Sequence, residues 1–311
     1  MNLNGSIGKT AVIGSAAAAL ALMTAVAGAQ DAGDIMIGTA AFPESIAATP
    51  EGGFITGSVA SGNISRWSPG DDAASVWATV EGISLGVFAD ADTAYVCVNS
   101  PSFGDGTLVT LDLSSGDQTG AYPLPGGGLC NDIAVGPDGT AFITDTGSFS
   151  GRPGAVFALV PVNEDGDLGL QSVVASMAMG GADGLAFLGN TLVVNDVGTG
   201  ALFAIELDGA TMVSFTTLTT SRALEGPDGM RTAADGTGIW VAENDAGRVS
   251  FISLDGDNAN IETIVEADWA SATAVAETGG VLYAIDTNFP ALGGDDMATT
   301  VFYAYAIDVN M

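Results

Sequence analysis

Beyond residue 30 the chain alternates short runs rich in Val, Ile, Thr, Phe and Tyr with Asp-Gly, Pro-Asp-Gly and Gly-Gly turns, and it lacks long helical periodicity. Short β-branched and aromatic runs bounded by turn formers are strand signals. The plainest unit is Asn131-Asp-Ile-Ala-Val-Gly-Pro-Asp-Gly-Thr-Ala-Phe-Ile-Thr-Asp145, which reads as strand, turn at Pro137-Asp-Gly139 and second strand, followed by a third strand over 154–160. The unit recurs from Glu44, Ser84, Asn131, Asp183, Asp228 and Thr273, starts that lie 40 to 52 residues apart. That period fits four-stranded propeller blades, whereas a solenoid of similar period would show helical or leucine patterning. The expected fold is therefore all-β: a six-bladed β-propeller of four-stranded antiparallel blades, in one domain over residues 30–311. The last blade is short of an outer strand, which the N-terminal segment Asp34-Ile-Met-Ile-Gly38 can supply. Such a clasp closes the ring and removes exposed sheet edges.

The first residues differ in character. Lys9, an apolar run from Ala11 to Val26 and the small residues Ala27-Gly28-Ala29 form the n-region, h-region and A-x-A site of a signal peptide over residues 1–29, cleaved before Gln30. The alternative is an uncleaved anchor, since 11–29 is almost long enough to span a bilayer. Ala/Gly richness and weak flanking charge favour cleavage, which places a soluble monomer in the periplasm or outside the cell.

Composition then narrows the chemistry. Removal of the leader removes the one lysine and leaves Arg66, Arg152, Arg222, Arg231 and Arg248 against 37 acidic residues, with no histidine. Without histidine there is no Ser-His-Asp triad or imidazole-bound zinc. Without lysine there is no Schiff base and no P-loop cation. A formal charge of −31 repels nucleic acid and anionic membranes, attracts divalent cations and favours neutral small-molecule substrates. The same acidity also serves solubility at high ionic strength. Cys97 and Cys130 sit in neighbouring repeats of an exported chain, and sequence leaves a disulfide and two buried thiols equally open.

Innermost propeller strands start beside the central channel, so equivalent repeat positions form a ring there. The first positions are Glu44, Ser84, Asn131, Asp183, Asp228 and Thr273. Three carboxylates crowded at one channel mouth are costly as bare charges, and a cation with oxygen ligands removes that cost. Ca2+ suits the ring better than Mg2+, because it accepts six to eight oxygens in loose geometry. Taken singly, Asp183-Gly and Asp228-Gly are ordinary turn dipeptides. Their shared repeat position argues for a site.

The Phe42-Pro-Glu44 start, the Asn131–Gly139 stretch, Ala182-Asp-Gly-Leu-Ala186 and Gly226-Pro-Asp228-Gly-Met230 resemble the gluconolactonase and senescence-marker-protein (regucalcin-like) family, whose architecture paraoxonases and diisopropyl fluorophosphatase share. The resemblance implies a catalytic divalent cation, usually calcium, and hydrolysis of lactones or related esters. It implies Glu44, Asn131, Asp183 and Asp228 as metal ligands, with aspartate at 183 where the family has asparagine. The catalytic histidines of paraoxonases are absent. A second calcium site of some relatives finds no match, because Arg231 follows Asp228 so closely.

The expected activity is calcium-dependent hydrolysis of a neutral lactone or ester, with Asp228 as first choice and Asp183 as second for general base or nucleophile. The alternative is a non-catalytic exported propeller that binds a ligand or partner and holds a structural calcium. Ends of the second strands carry Asp145, Asn195-Asp196, Glu243-Asn-Asp245 and Asp286-Thr-Asn288, read mainly as turn caps and secondarily as ligand-orienting groups. Arg152 and Arg222 stand near the same face as candidate contacts to a substrate carbonyl. N-terminal sequencing of exported material should begin within a residue or two of Gln30; intact Met1 on membrane-bound protein would establish the anchor instead.

Overall fold

A computed structural model describes Met1 and residues 33–309; the predicted signal peptide lies outside the described residues, apart from Met1. Residues 33–309 fall within one compact unit. That unit consists of six antiparallel sheets. Their innermost strands are Pro43–Ala48, Ile83–Asp90, Cys130–Val135, Ala182–Leu188, Pro227–Thr232 and Ala272–Thr278. The predicted clasp is present: Ile35–Thr39 pairs with Val301–Ile307 and completes the sixth blade, Ile35 opposite Ala304 and Thr39 opposite Val301. The fifth blade carries one extra strand, Thr219–Thr220, paired parallel to Asn258–Glu266.

Each innermost strand breaks register immediately after its first one or two residues. Pairing jumps from Pro43 to Ile46, Cys130 to Ile133, Ala182 to Leu185, Pro227 to Met230 and Ala272 to Ala274. The unpaired residues are Glu44-Ser45, Asn131-Asp132, Asp183-Gly184, Asp228-Gly229 and Thr273. A bulge re-aims side chains that a regular strand would send into the sheet faces. In the second blade the jump runs from Ser84 to Val87, so the equivalent of Glu44 is Leu85. Ser84 therefore leaves the predicted ring: its hydroxyl accepts from Ser58 N at 2.6 Å and is fully buried against the first blade. The second ring residue differs because that repeat is loose in sequence and its alignment slips by one.

The bulges bring neighbouring backbones very close. A Cβ on Gly184 would lie 2.1 Å from Asp228 O, and one on Gly86 would lie 2.2 Å from Asn131 O. Glycine is required there by space. Where the first and third blades carry Ser45 and Asp132 instead, the side chains meet Arg231. Its Nη1 donates to Asp132 Oδ1 and Oδ2 at 3.0 and 2.9 Å. Its Nη2 donates to Ser45 Oγ at 3.1 Å and Val87 O at 2.8 Å. One arginine from the fifth blade thus ties the first, second and third blades together across the axis.

Hydrophobic clusters between blades supply the rest of the core. One contains the clasp residues Ile35 and Ile37 with Phe42, Phe302 and Ala304. The cysteines form a disulfide with Cα atoms 5.1 Å apart, joining the second strand of the second blade to the innermost strand of the third. Loop closure of this kind stabilises by about 2–4 kcal/mol.

Arg231→Met should lower the unfolding free energy by about 3–5 kcal/mol, since it strands the buried Asp132 carboxylate. Arg231→Met with Asp132→Leu should recover more than half of that in urea titrations. A single variant with wild-type midpoint would remove the ion pair from the account of the core.

Candidate active site

Glu44, Asn131, Asp183, Asp228 and Thr273 surround a single gap on the propeller axis, with Ser45 and Asp132 alongside. All four predicted ligands are buried, at 7, 6, 5 and 7% exposure for Glu44, Asn131, Asp183 and Asp228. The bulge brings them together, while side chains from the second strands fix each bulge. Thr144 Oγ1 donates to Asp183 O at 2.6 Å, and Thr146 Oγ1 donates to Ala182 O at 2.6 Å. Asn195 Nδ2 donates to Asp228 O at 2.6 Å while its Oδ1 accepts from Gly184 N. Asn99 clamps Cys130 through both its backbone groups, directly before Asn131. Thr287 donates to Pro43 O at 2.6 Å, directly before Glu44. Four of the six blades thus position the ring residue of the next, and the ring inherits the rigidity of the sheets.

Within the ring, Asn131 Nδ2 donates to Asp183 Oδ2 at 2.8 Å and to Thr146 Oγ1 at 2.8 Å. Asp228 accepts from Gly229 N at 3.0 Å on Oδ1 and from Asn244 Nδ2 at 2.9 Å on Oδ2. Asp183 Oδ1 is buried without a hydrogen-bond partner.

Electrostatics follow from burial. Desolvation, then the Asp228 and Asp132 charges, push the Glu44 carboxyl well up, against the pull of Arg231. Desolvation and the Asp228, Glu44 and Asp132 charges push Asp183 well up. Burial lifts Asp228 to about 7; Asn244 opposes the rise and Asp132 adds to it. Three carboxyls therefore share a dry site in which full ionisation is unfavourable.

Among the described residues, no three carboxylate, thiolate or imidazole groups stand in a metal-ligand arrangement. The gap has no room for a water molecule, and the Asn131–Asp183 bond draws it closed. The donor chemistry nevertheless fits a hard cation: three carboxyls and an amide on one axis, with an unpartnered buried oxygen on Asp183. Arg231 and Asp132 occupy the axis beside the ring, where a second cation would meet a fixed positive charge.

The second-strand residues divide. Asn244 orients Asp228, whereas Asp196 caps a turn through Gly198 N and Thr199 N, and Asp286 accepts from Ser271 N and Asn288 N. Asp145 pairs with Arg152 at 3.1 Å. Arg222 is not presented to a substrate. It is bound to Glu243 at 2.7 Å, as is Arg248. Burial raises the Glu243 carboxyl, but hydrogen bonds from Arg248, Arg222 and Ser250 outweigh it and hold it down to about 2.

Sequence reasoning missed Asp132 and Ser45 as channel residues and Arg231 as their partner. The available signal was an arginine at a strand position where other blades carry Ala47, Phe88, Ala134, Ala186 and Ala276.

The sequence profile of the SMP-30/Gluconolactonase/LRE-like region matches residues 42–283. No curated protein matches the sequence significantly. Among solved structures, the chain is similar to the Malassezia sympodialis allergen Mala s 1 at 15% identity, with a TM-score of 0.68, covering 89% of this chain and 96% of that one. It is similar to a luciferin-regenerating enzyme at 15% identity and TM-score 0.64, covering 89 and 93%. It is also similar to the calcium-binding protein regucalcin of Agrobacterium tumefaciens at 16% identity and TM-score 0.61, covering 89 and 94%. At these identities the likeness establishes the propeller, and the match across most of the described blades establishes that the chain belongs to the SMP-30/gluconolactonase/LRE-like family.

Proposed function

We propose that the protein is an exported calcium-dependent hydrolase of neutral lactones or related esters. One observation carries the reading: Glu44, Asp183 and Asp228 lie buried on one axis with Asn131, and an oxygen of Asp183 lacks any partner. Such a set is unfavourable as bare charge and favourable around a dication.

Glu44 Oε, Asn131 Oδ1 and oxygens of Asp183 and Asp228 would hold the ion, the amide of Asn131 turning from Asp183 to do so. When bound, the cation supplies Lewis-acid polarisation of the substrate carbonyl, worth on the order of several kcal/mol. The chain's own groups manage the proton. Asp228, a buried carboxylate on the ring, is the general base. It takes a proton from water as the water oxygen bonds to the carbonyl carbon. It returns that proton to the ring oxygen as the C–O bond breaks. Asn244 on Oδ2 and Gly229 N on Oδ1 keep the carboxylate oriented through both transfers. Blade walls exclude bulk water from the ring, which strengthens each of these interactions.

Two outcomes test this. In chelator, the raised Asp228 pKa stabilises the fold below about pH 4, and that stabilisation is lost as pH rises through about 7. Millimolar calcium should raise the melting temperature and offset much of that loss, because it binds the ionised ring. Coincident melts with and without calcium, together with no metal by elemental analysis, would remove the cation.

At saturating calcium, Asp228→Asn should lower lactone hydrolysis by roughly 100-fold or more with the propeller still folded, the scale of a lost general base. Asp183→Asn restores the amide that the family resemblance implies there, and its activity should survive or improve. Full activity in both variants would place the base elsewhere. A calcium-loaded wild type inert to a broad lactone and ester panel would favour the ligand-binding alternative.

A further inference from the structure

A second cavity, of about 780 Å3, opens beside the ring between the second, third and sixth blades. It shares a wall with the site. Thr146 lines it, and Thr146 Oγ1 accepts from Asn131 Nδ2 at 2.8 Å. Leu129, two residues before Asn131 on the same chain segment, lines it as well.

Two phenylalanines project at its rim, Phe103 at 45% and Phe289 at 37% exposure. Both are held by unusual backbone. Phe103 itself has φ 57°, in a turn closed by Phe103 N to Ser100 O at 2.9 Å and Ser100 N to Gly104 O at 2.8 Å. A bulky residue in the left-handed region is strained by about 1 kcal/mol or more. Phe289 follows Asn288, whose φ is 50°, and its amide donates to Ser271 Oγ at 3.3 Å. Exposed aromatic surface and backbone strain are separate costs, and folding alone recovers neither. Strain of this kind collects at ligand-binding positions.

The polar groups of the cavity are largely committed. Thr146 Oγ1 donates to Ala182 O, and Arg152 is paired with Asp145. Gly128, with φ 151°, is what lets that pair lie against the backbone: a Cβ there would sit 2.5 Å from both Asp145 oxygens and 2.6 Å from Arg152 Nη2. With Asp105 also on the wall, the cavity offers no surplus positive charge for an anion. It also offers few uncommitted groups for a polyol, whose every buried hydroxyl needs a partner.

We propose that this cavity is the acyl-binding site of the enzyme, and that its substrates are neutral lactones or esters carrying an apolar chain that lies against Phe103 and Phe289. The proposal rests on the hydrolase reading for the reaction, and on its own geometry for the binding.

Two measurements separate these parts. The first is kcat/KM, at saturating calcium, for δ-valerolactone, for δ-lactones with progressively longer alkyl chains and for glucono-1,5-lactone. Each added methylene should raise kcat/KM about threefold until the pocket is filled. Glucono-1,5-lactone should be the poorer substrate than an alkyl δ-lactone. Phe103→Ser and Phe289→Ser should each cut the ratio of long- to short-chain kcat/KM about tenfold, mainly through KM. Both positions are exposed, so the variants should keep the wild-type melting temperature. The second is calorimetric binding of a long-chain alkyl δ-lactam, which is not turned over, to wild type and to both variants. Binding weakened about tenfold by either substitution, with no lactone hydrolysed by the wild type, would retain the pocket and sink the hydrolase reading. Faster turnover of glucono-1,5-lactone, equal losses on all chain lengths, or lactam binding indifferent to both phenylalanines would overturn this proposal.

Discussion

The ion pair of Arg231 with Asp132 is the constraint on which the interior of the propeller depends. An axial channel formed by six inner strands is a poor place for a guanidinium unless its donors are used; here Nη1 and Nη2 reach three other blades, while Nε is left without a hydrogen-bond partner. The pair also sets the potential of the ring beside it. Arg231 pulls the Glu44 carboxyl down, while Asp132 pushes Glu44, Asp183 and Asp228 up. A positive charge fixed there by hydrogen bonds offsets part of the repulsion that three carboxyls create.

Strand geometry explains how so many acidic groups come to share one point. In a regular strand, consecutive side chains alternate between faces and would bury in the interblade core. The register break at the start of each inner strand releases one or two residues from that alternation. Side chains one blade back, such as Asn195 on Asp228 O and Thr144 on Asp183 O, then fix the released backbone. The ring is therefore preorganised by neutral groups, and its charged groups are spared a structural role. A carboxylate already held in an ion pair, as Glu243 is, has by contrast a pKa far below neutrality, about 2.

The sequence carried the period, the clasp and five of the six ring positions, because these follow from turns and strand runs that each repeat states locally. Glu44, Asn131, Asp183, Asp228 and Thr273 all fall at the bulge. The second blade failed on the same logic: its turn, Asp90-Ala91-Asp92, lacks the glycine that anchors the alignment in the other blades, and a slip of one residue exchanged Leu85 for Ser84. Arg231 was legible only as an oddity among apolar positions, since its partners lie 99 and 186 residues away. Arg222 was misplaced because charge alone cannot say whether a cation faces a ligand or a buried glutamate. The disulfide was undecidable because only the fold brings Cys97 and Cys130 within bonding distance.

Placement of the large cavity to one side of the axis has a consequence for how this fold can diversify. Ring residues sit on inner strands clamped by the preceding blade, so a substitution there disturbs two blades at once. The cavity walls come instead from connections: the turn after a second strand that carries Phe103, and the segment from Gly126 to Gly128 that joins the second blade to the third, bonded to each other by Gly106 N to Gly128 O at 2.8 Å. Such loops change with little effect on the sheets they connect. The contact between the two regions narrows to Thr146, whose hydroxyl accepts from Asn131 and donates to Ala182 O. A fold arranged in this way can exchange the walls of its cavity while the ring stays fixed. This accounts in physical terms for a single propeller architecture appearing in an allergen, a luciferin-regenerating enzyme and a calcium-binding protein at about 15% identity.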